Sequence, residues 1–221
     1  MQIPKRLQVI GNLIPEGAYI ADIGADHGLL EQYIALNFEN YHILAVENKV
    51  GPLTALHSAV SCLKNVDISH SDGLNQVTSE YDTIVLAGMG GDTIIEILSK
   101  NKKKLDNVKR IIVDAHSFIP KVREAITGFG FNIECEKIVF ENNHYYIIIS
   151  FLRNEIKQNY TSEQIEYGYN LYLDPLYEDY KKRTISKLLT IKKNLSKSGK
   201  NNEKIKLIDE EIRRFESYGQ N

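Results

Sequence analysis

The sequence predicts an α/β fold: a mostly parallel sheet closed by a terminal antiparallel hairpin strand, followed by an all-helical appendage. Three observations predict it. Short apolar runs alternate with helix-like stretches up to about residue 130, the pattern of right-handed βαβ crossovers. Two strand-like runs then follow with only a turn between them. From about residue 160 the apolar positions recur every three or four residues, which is helical spacing.

The first strand covers residues 18–23 and ends in Gly24. Residues 27–37 follow as a helix with Leu30, Tyr33 and Ile34 on one face. Strand two, 42–46, ends at Glu47, and the helix over 50–63 carries Pro52 in its first turn, where proline is tolerated. Strand three, 65–69, runs into Ser71-Asp72-Gly73; strand four, 82–87, runs into Gly88-Met89-Gly90-Gly91. A helix over 93–104, a fifth strand over 110–114 and a helix over 120–127 complete the alternation. The hairpin comprises 131–139 and 145–152, split at Glu141-Asn142-Asn143. Five parallel strands and a final hairpin are the outline of class I methyltransferases with a Rossmann-like sheet; dehydrogenase Rossmann domains usually lack that hairpin.

The appendage reads as helices over 162–173, stopped near Asp174-Pro175, over 176–195 and over 203–218, the last two joined by a polar turn over 196–202. Thr184, Leu188, Ile191 and Leu195 form one narrow apolar stripe, and Ile205, Ile208, Ile212 and Phe215 another. Two such stripes predict a protruding antiparallel coiled-coil hairpin. The expected division is a catalytic α/β domain over 1–155 and a helical coiled-coil domain over 156–221. Tyr167, Tyr169, Tyr172, Tyr177 and Tyr180 are read as core packing in preference to base stacking.

At 221 residues the chain can hold one α/β domain of about 150 residues plus this appendage. The net charge of −2 conceals an uneven distribution. Residues 1–150 carry 13 basic and 18 acidic side chains, whereas residues 177–206 carry ten basic and three acidic ones. A basic appendage on an acidic body suggests a polyanionic partner; the plainer reading is a solvated helix face. Cys62 and Cys135 stand apart, with no Cys or His at ligand spacing, so neither a metal nor a disulfide is expected. No apolar run approaches the roughly 20 residues of a membrane span. We expect no membrane partner, a cytoplasmic location and, by preference, a monomer.

Four segments fall at the carboxyl ends of strands one to four, the edge where open α/β sheets bind ligands. In Asp22-Ile23-Gly24-Ala25-Asp26-His27-Gly28 the second glycine of a dinucleotide fingerprint is replaced by Asp26. An aspartate there repels a pyrophosphate and suits a cofactor with a sulfonium, an ammonium and no phosphate, which points to S-adenosyl-L-methionine. Glu47, with Asn48, lies 23 residues after Gly24, the spacing of an acid that binds ribose hydroxyls. Asp72-Gly73 can accept from an adenine amine while leaving room for the ring. At Ala87-Gly88-Met89-Gly90-Gly91 the Asp/Asn-Pro-Pro-Tyr/Phe motif of exocyclic-amine methylation is absent; a glycine-rich backbone there favours a ring nitrogen as nucleophile.

Together these segments resemble the TrmK family, the bacterial tRNA (adenine(22)-N1)-methyltransferases. Lys5-Arg6-Leu7, Ala21-Asp22-Ile23-Gly24 with Asp26-His27, Gly51-Pro52, Asp72-Gly73 and Ala87-Gly88-Met89-Gly90-Gly91 carry the resemblance, and the helical extension completes it. It implies S-adenosyl-L-methionine held by Arg6, Asp22, Gly24, Asp26, His27, Glu47, Asn48, Asp72, Gly73, Ala87 and Gly88. Chemistry is expected around Asp26, His27, Gly88 and Met89. A tRNA partner is expected at Lys5, Arg6, Gly90, Gly91, His116, Lys181, Lys182, Arg183, Lys192 and Lys193. The chain departs from the family in reading Gly28-Leu29-Leu30-Glu31 where Ala-Tyr-Leu-Pro is common, and Asp114-Ala115-His116 where Gln-Pro-Asn is common. Rival readings are a methyltransferase acting on a small molecule or protein, a non-catalytic RNA-binding protein on a Rossmann scaffold and, more distantly, a nicotinamide dehydrogenase.

Overall fold

The computed structural model describes residues 3–197 and 202–219. Its sheet contains β1 (Tyr19–Ile23), β2 (His42–Glu47), β3 (Val66–His70), β4 (Thr83–Met89), β5 (Arg110–Ala115), β6 (Phe131–Glu141) and β7 (His144–Arg153). The order is β3-β2-β1-β4-β5-β7-β6. β1 pairs in parallel with β2 and β4, β2 with β3, and β4 with β5. β7 runs antiparallel to both β5 and β6. The mostly parallel sheet with one terminal hairpin is therefore as expected.

The central strands are apolar without alternation because both faces are covered. α1 (Lys5–Asn12) and α2 (Leu29–Asn37) bring Leu7, Ile10, Leu30 and Ile34 against Ile20, Ile43, Val85 and Ile112. On the other face, α4 (Gly91–Lys100) and α5 (Ile119–Gly128) bring Ile94, Leu98, Val122 and Ile126 against Ala21, Ile23, Ile84 and Leu86. α3 (Val50–Val60) packs Leu56 and Val60 on Ala45.

Several boundaries differ from the sequence reading, each for a local reason. α1 is not among the elements expected from the sequence, although Leu7, Ile10 and Ile14 fall at helical spacing. It spans eight residues, and its N-cap, Pro4, offers no capping side chain. Tertiary contact supplies what is missing: Leu7 and Ile10 are buried, and Glu141 Oε1 accepts the Lys5 backbone N–H at 2.7 Å. α2 begins at Leu29 instead of residue 27, because Asp26 and Gly28 both adopt left-handed backbone. α4 ends at Lys100, and a 3₁₀ turn over Lys102–Asn107 replaces its predicted last turn.

The helix predicted over 162–173 is divided. α6 (Ser162–Tyr167) opens with a Thr161–Gln164 capping box and stops at Gly168, whose φ is 117°; a 3₁₀ turn, Leu171–Leu173, follows. α7 (Tyr177–Lys197) and α8 (Asn202–Ser217) pack on each other. Residues 198–201 of the predicted polar turn lie outside the described residues. Near the root of the pair, Tyr167 stacks on Phe215 with ring centroids 5.0 Å apart. Tyr167, Tyr177 and Phe215 join the same core cluster as Ile133, Ile147 and Phe151 of the sheet. Tyr169 and Tyr180 pack against that cluster, while Tyr172 stays more exposed beside Tyr218. Farther along, Leu188, Leu195, Ile205 and Ile208 are only half-buried, and Ile191 is exposed. Among the described residues no helix is long and apolar enough to cross a membrane.

One buried ion pair ties the appendage to the sheet. Arg123 of α5 is fully buried; its Nε donates to Glu136 Oε1 of β6 at 2.7 Å, and its Nη1 donates to the carbonyls of Ile165 and Glu166 at 2.9 and 3.2 Å. Removing one partner leaves a buried charge uncompensated. Arg123→Met is expected to lower unfolding free energy by about 3–5 kcal/mol. The measurement is the urea midpoint, and a shift of under 1 kcal/mol would contradict this role.

Candidate functional site

Because β1, β2, β4 and β5 are parallel, their carboxyl ends meet at one edge. A cleft of about 700 Å³ opens there, with Gly24, Asp26, Glu47, Asp72, Gly88 and His116 among its walls. Arg6, Asp22, His27, Asn48, Gly73, Ala87 and Met89 also line it. Every residue expected at the cofactor or at the chemistry thus reaches one cavity.

Each acid is held differently. Glu47 ends β2, and its Oε1 accepts the Lys49 backbone N–H at 2.8 Å. Asp72 lies just beyond β3, with Asn48 Nδ2 3.5 Å from its Oδ1. Asp26 and His27 stand exposed at the mouth, Asp26 Oδ1 being 3.7 Å from His27 Nε2. Asp22 is buried in the cleft floor next to Glu31 of α2, which is fully buried. Neither Glu31 oxygen has a hydrogen-bond partner of good geometry among the described residues.

The glycine string divides into two jobs. Gly88 sits at a β-bulge between Ala87 and Met89, with φ at 76°. A bulge of this kind re-aims the chain and leaves open space beside the backbone. Gly90 and Gly91, expected at the substrate, do not line the cleft. They start α4: a Cβ on Gly91 would lie 2.3 Å from the Ser117 carbonyl oxygen, and the Gly91 N–H donates to that oxygen at 3.2 Å. Gly28 likewise serves packing, since a Cβ there would meet Val60 Cγ1 at 2.8 Å.

Arg6 and His116 flank Gly88. Arg6 Nη1 and His116 Cε1 lie 3.8 and 4.0 Å from where a Gly88 Cβ would stand. Both reach Asp114, a fully buried carboxylate in β5: Arg6 Nη1 donates to its Oδ2 at 2.9 Å, and His116 Nε2 is 3.6 Å from the same oxygen. Tyr146 of β7 packs beside them, 5.5 Å from the His116 ring and 5.8 Å from the Arg6 guanidinium. Sequence reasoning did not place Asp114, Tyr146 or Glu31 at the site. Asp114 carried the signal of an acid near a strand's carboxyl end; Glu31, an acid within a helix, and Tyr146, one aromatic in a β-hairpin, carried none.

The basic residues expected to meet RNA are sorted by the fold. Lys5 is exposed near the Arg6 end of the cleft. Lys181 is buried, and its Nζ donates to the carbonyls of Glu216 and Tyr218 at 2.7 and 3.2 Å, capping the end of α8. Arg183 donates to Asn143 Oδ1 and to the Asn143 carbonyl, at 2.9 and 2.7 Å, fixing α7 to the β6–β7 turn. Lys192 pairs with Asp209 across the two helices. These three are therefore occupied by internal structure instead of facing outward unpaired. Lys182 and Lys193 are exposed and free of ion pairs among the described residues.

The floor of the cleft has a pH-dependent cost. Burial pushes the Asp22 carboxyl up to about 7, the contact with Glu31 offsets part of the shift, and the Glu47 charge adds to it. Burial and the Asp22 charge push Glu31 well above the ordinary carboxylate range. The folded state therefore holds protons that the unfolded chain releases near pH 4, and stability is lost as pH rises through about 7. Glu31→Gln removes one of these acids. It is expected to raise the thermal midpoint by roughly 2–4 °C at pH 8, with the gain fading below pH 5. Thermal scans across that range test it; a gain that grows toward low pH would contradict the account.

Comparison with known proteins places this architecture. The family described as "Methyltransferase domain" matches residues 3–149. The tRNA (adenine(22)-N(1))-methyltransferase of Bacillus subtilis (strain 168) is 31% identical over 153 residues, which are 67% of this chain and 64% of that relative. The alignment thus spans under two thirds of the relative's length. A solved protein of Listeria monocytogenes serotype 4b superposes with a TM-score of 0.89 at 26% identity, covering 97% of this chain and 98% of that one. M. capricolum TrmK, solved with S-adenosyl-homocysteine, superposes at 0.83 with 24% identity, covering 99% and 98%; at that identity it speaks for the fold. The match over most of the α/β domain, on a sheet of the expected topology, means that the chain belongs to the methyltransferase-domain family.

Proposed function

We propose that the chain transfers a methyl group from S-adenosyl-L-methionine to N1 of an adenine in tRNA, at position 22 as in the name of the Bacillus subtilis relative. The observation that carries the reading is the set of acids around one cleft, Asp22, Asp26, Glu47 and Asp72, beside the open bulge at Gly88. The donor set fits the cofactor. Glu47 can accept from ribose hydroxyls and Asp72 from an adenine amine, and the acidic walls suit a cation without phosphate. When bound, the cofactor supplies a methyl group activated on a sulfonium.

The remaining work is placement and exclusion of water. Gly88 leaves room for a planar base beside the strand end. Adenine N1 reacts through its lone pair, so no proton has to leave before the C–N bond forms. The ring becomes positive, and Asp26 at the mouth balances that charge, with His27 beside it. The base must leave its pairing partner to enter, at a cost of about a few kcal/mol. Lys5, Lys182 and Lys193 offer cations to RNA phosphate, while Arg6 is held by Asp114. We assign the catalytic domain to 1–155 and the RNA-contacting helical domain to 156–221, and infer a monomer acting in the cytoplasm.

The internal engagement of Lys181, Arg183 and Lys192 favours one competing reading, methylation of a small molecule or protein. Incubation with unmodified tRNA and labelled S-adenosyl-L-methionine, followed by nucleoside analysis, separates the two. The expected product is N1-methyladenosine. Asp26→Ala is expected to abolish or strongly reduce it, and Glu47→Ala to raise KM for the cofactor about tenfold. The pair Lys182→Glu and Lys193→Glu is expected to raise KM for tRNA and to flatten its salt dependence by roughly one per lost phosphate contact. Cofactor binding with no label in RNA would sink the tRNA substrate and leave the family standing.

A further inference from the structure

Asp114-Ala115-His116 closes β5 at the cleft, and the structure gives it a defined arrangement. Asp114 is fully buried, and its Oδ2 faces both Arg6 Nη1 at 2.9 Å and His116 Nε2 at 3.6 Å. A carboxylate only accepts hydrogen bonds. At 3.6 Å the two groups are too far apart for a hydrogen bond, but the buried carboxylate's charge favours the tautomer whose nearer nitrogen, Nε2, carries the proton. In that neutral tautomer the other nitrogen, Nδ1, keeps its lone pair, and no group among the described residues hydrogen-bonds to it. The ring is 42% exposed and lines the cleft. Its Cε1, which joins the two nitrogens, lies 4.0 Å from the vacant Cβ position of Gly88. Tyr146, 5.5 Å away and tilted by 56°, backs the ring and limits its swing.

We propose that His116 reads the exocyclic amine of the target adenine, with Asp114 as the positioning residue that sets its tautomer. This assignment rests on adenine N1 being the methyl acceptor. On the Watson–Crick edge N1 and the C6 substituent are neighbours, so a base admitted beside Gly88 with N1 toward the cofactor carries its 6-position along the same wall. In adenine that position is an amine, a donor that His116 Nδ1 can accept. In guanine and hypoxanthine it is a carbonyl oxygen, which meets the Nδ1 lone pair, and N1 there bears a hydrogen and has no lone pair to methylate. One acceptor on a fixed ring thus selects the base and aligns the reacting nitrogen. Lysine or arginine at 116 could not do this, because neither carries an acceptor.

The test uses two synthetic tRNAs, one with adenosine at the methylated position and one with purine riboside, which keeps N1 and lacks the amine. The readout is the ratio of kcat/KM values for the two RNAs, a quantity that general loss of folded enzyme does not move. The wild-type chain is expected to favour adenosine. His116→Ala is expected to lower that ratio about tenfold, and His116→Gln, which keeps an acceptor, to restore part of it. Asp114→Asn, whose amide can face either tautomer, is expected to lower the ratio in the same direction. An unchanged ratio in His116→Ala overturns the assignment while leaving the adenine reading intact. A wild-type chain that methylates neither RNA overturns both.

Discussion

Parallel pairing of β1 to β5 forces their carboxyl ends to one edge, and that edge carries acids on four of the five segments: Asp22, Glu47, Asp72 and Asp114. Like charges gathered beside a hydrophobic sheet are costly unless each is neutralised or hydrogen-bonded. The structure answers the demand one acid at a time. Arg6 reaches Asp114 from α1, and the Lys49 backbone serves Glu47. Asn48 approaches Asp72. Asp22 has only another acid, Glu31, beside it, and burial raises both carboxyls instead. This explains the presence of α1, which at eight residues is too short to be stable by itself. It carries Arg6 to a buried carboxylate, and its apolar residues cover the sheet there.

The appendage follows a second, independent logic. Arg123 meets three segments at once, α5, β6 and the end of α6, so the helical tail begins from a fixed point on the sheet. Aromatic rings then fill the joint: Tyr167, Tyr177 and Phe215 extend the sheet's own core outward. Cations complete the attachment. Lys181 closes the end of α8, and Arg183 holds the β6–β7 turn. The positive charge that remains for a polyanion is therefore smaller than the basic count of the segment suggests, and it is concentrated on side chains such as Lys182 and Lys193 that face outward.

Most of the fold was legible because a two-sided parallel sheet forces continuous apolar runs, and strand-end glycines and acids punctuate them. The five parallel strands, the hairpin and the paired tail helices all emerged from that pattern. What escaped was decided by contacts between distant segments. Eight residues from Lys5 to Asn12 become a helix only on the sheet. The break at Gly168 depends on close packing there, where a Cβ would lie 2.6 Å from Leu171 Cβ and 2.9 Å from Glu136 Oε2. The wall of the cleft was legible for the same reason as the strands, since Gly24, Glu47 and Asp72 occupy the positions that topology dictates. Asp114 followed the identical rule, yet its partner Arg6 lies 108 residues away and no local pattern connects them.

The string Ala87-Gly88-Met89-Gly90-Gly91 shows why residue type alone does not define a site. Five consecutive positions read as one glycine-rich ligand loop, but the chain crosses from strand to helix within them. Gly88 faces the cleft because the bulge turns it there. Gly91, three residues later, faces Ser117 because α4 must start against the loop that follows β5. The two glycines are linked through that loop: the His116 N–H donates to the Met89 carbonyl at 2.8 Å, and Gly91 N–H donates to the Ser117 carbonyl at 3.2 Å. Backbone hydrogen bonds thus lock the bulge to the segment carrying His116. A side chain at Gly91 would push that segment away from Gly88 and widen the cleft wall there. The packing glycine thus shapes the same cleft as the open one, through the position of His116, a residue that neither of them resembles.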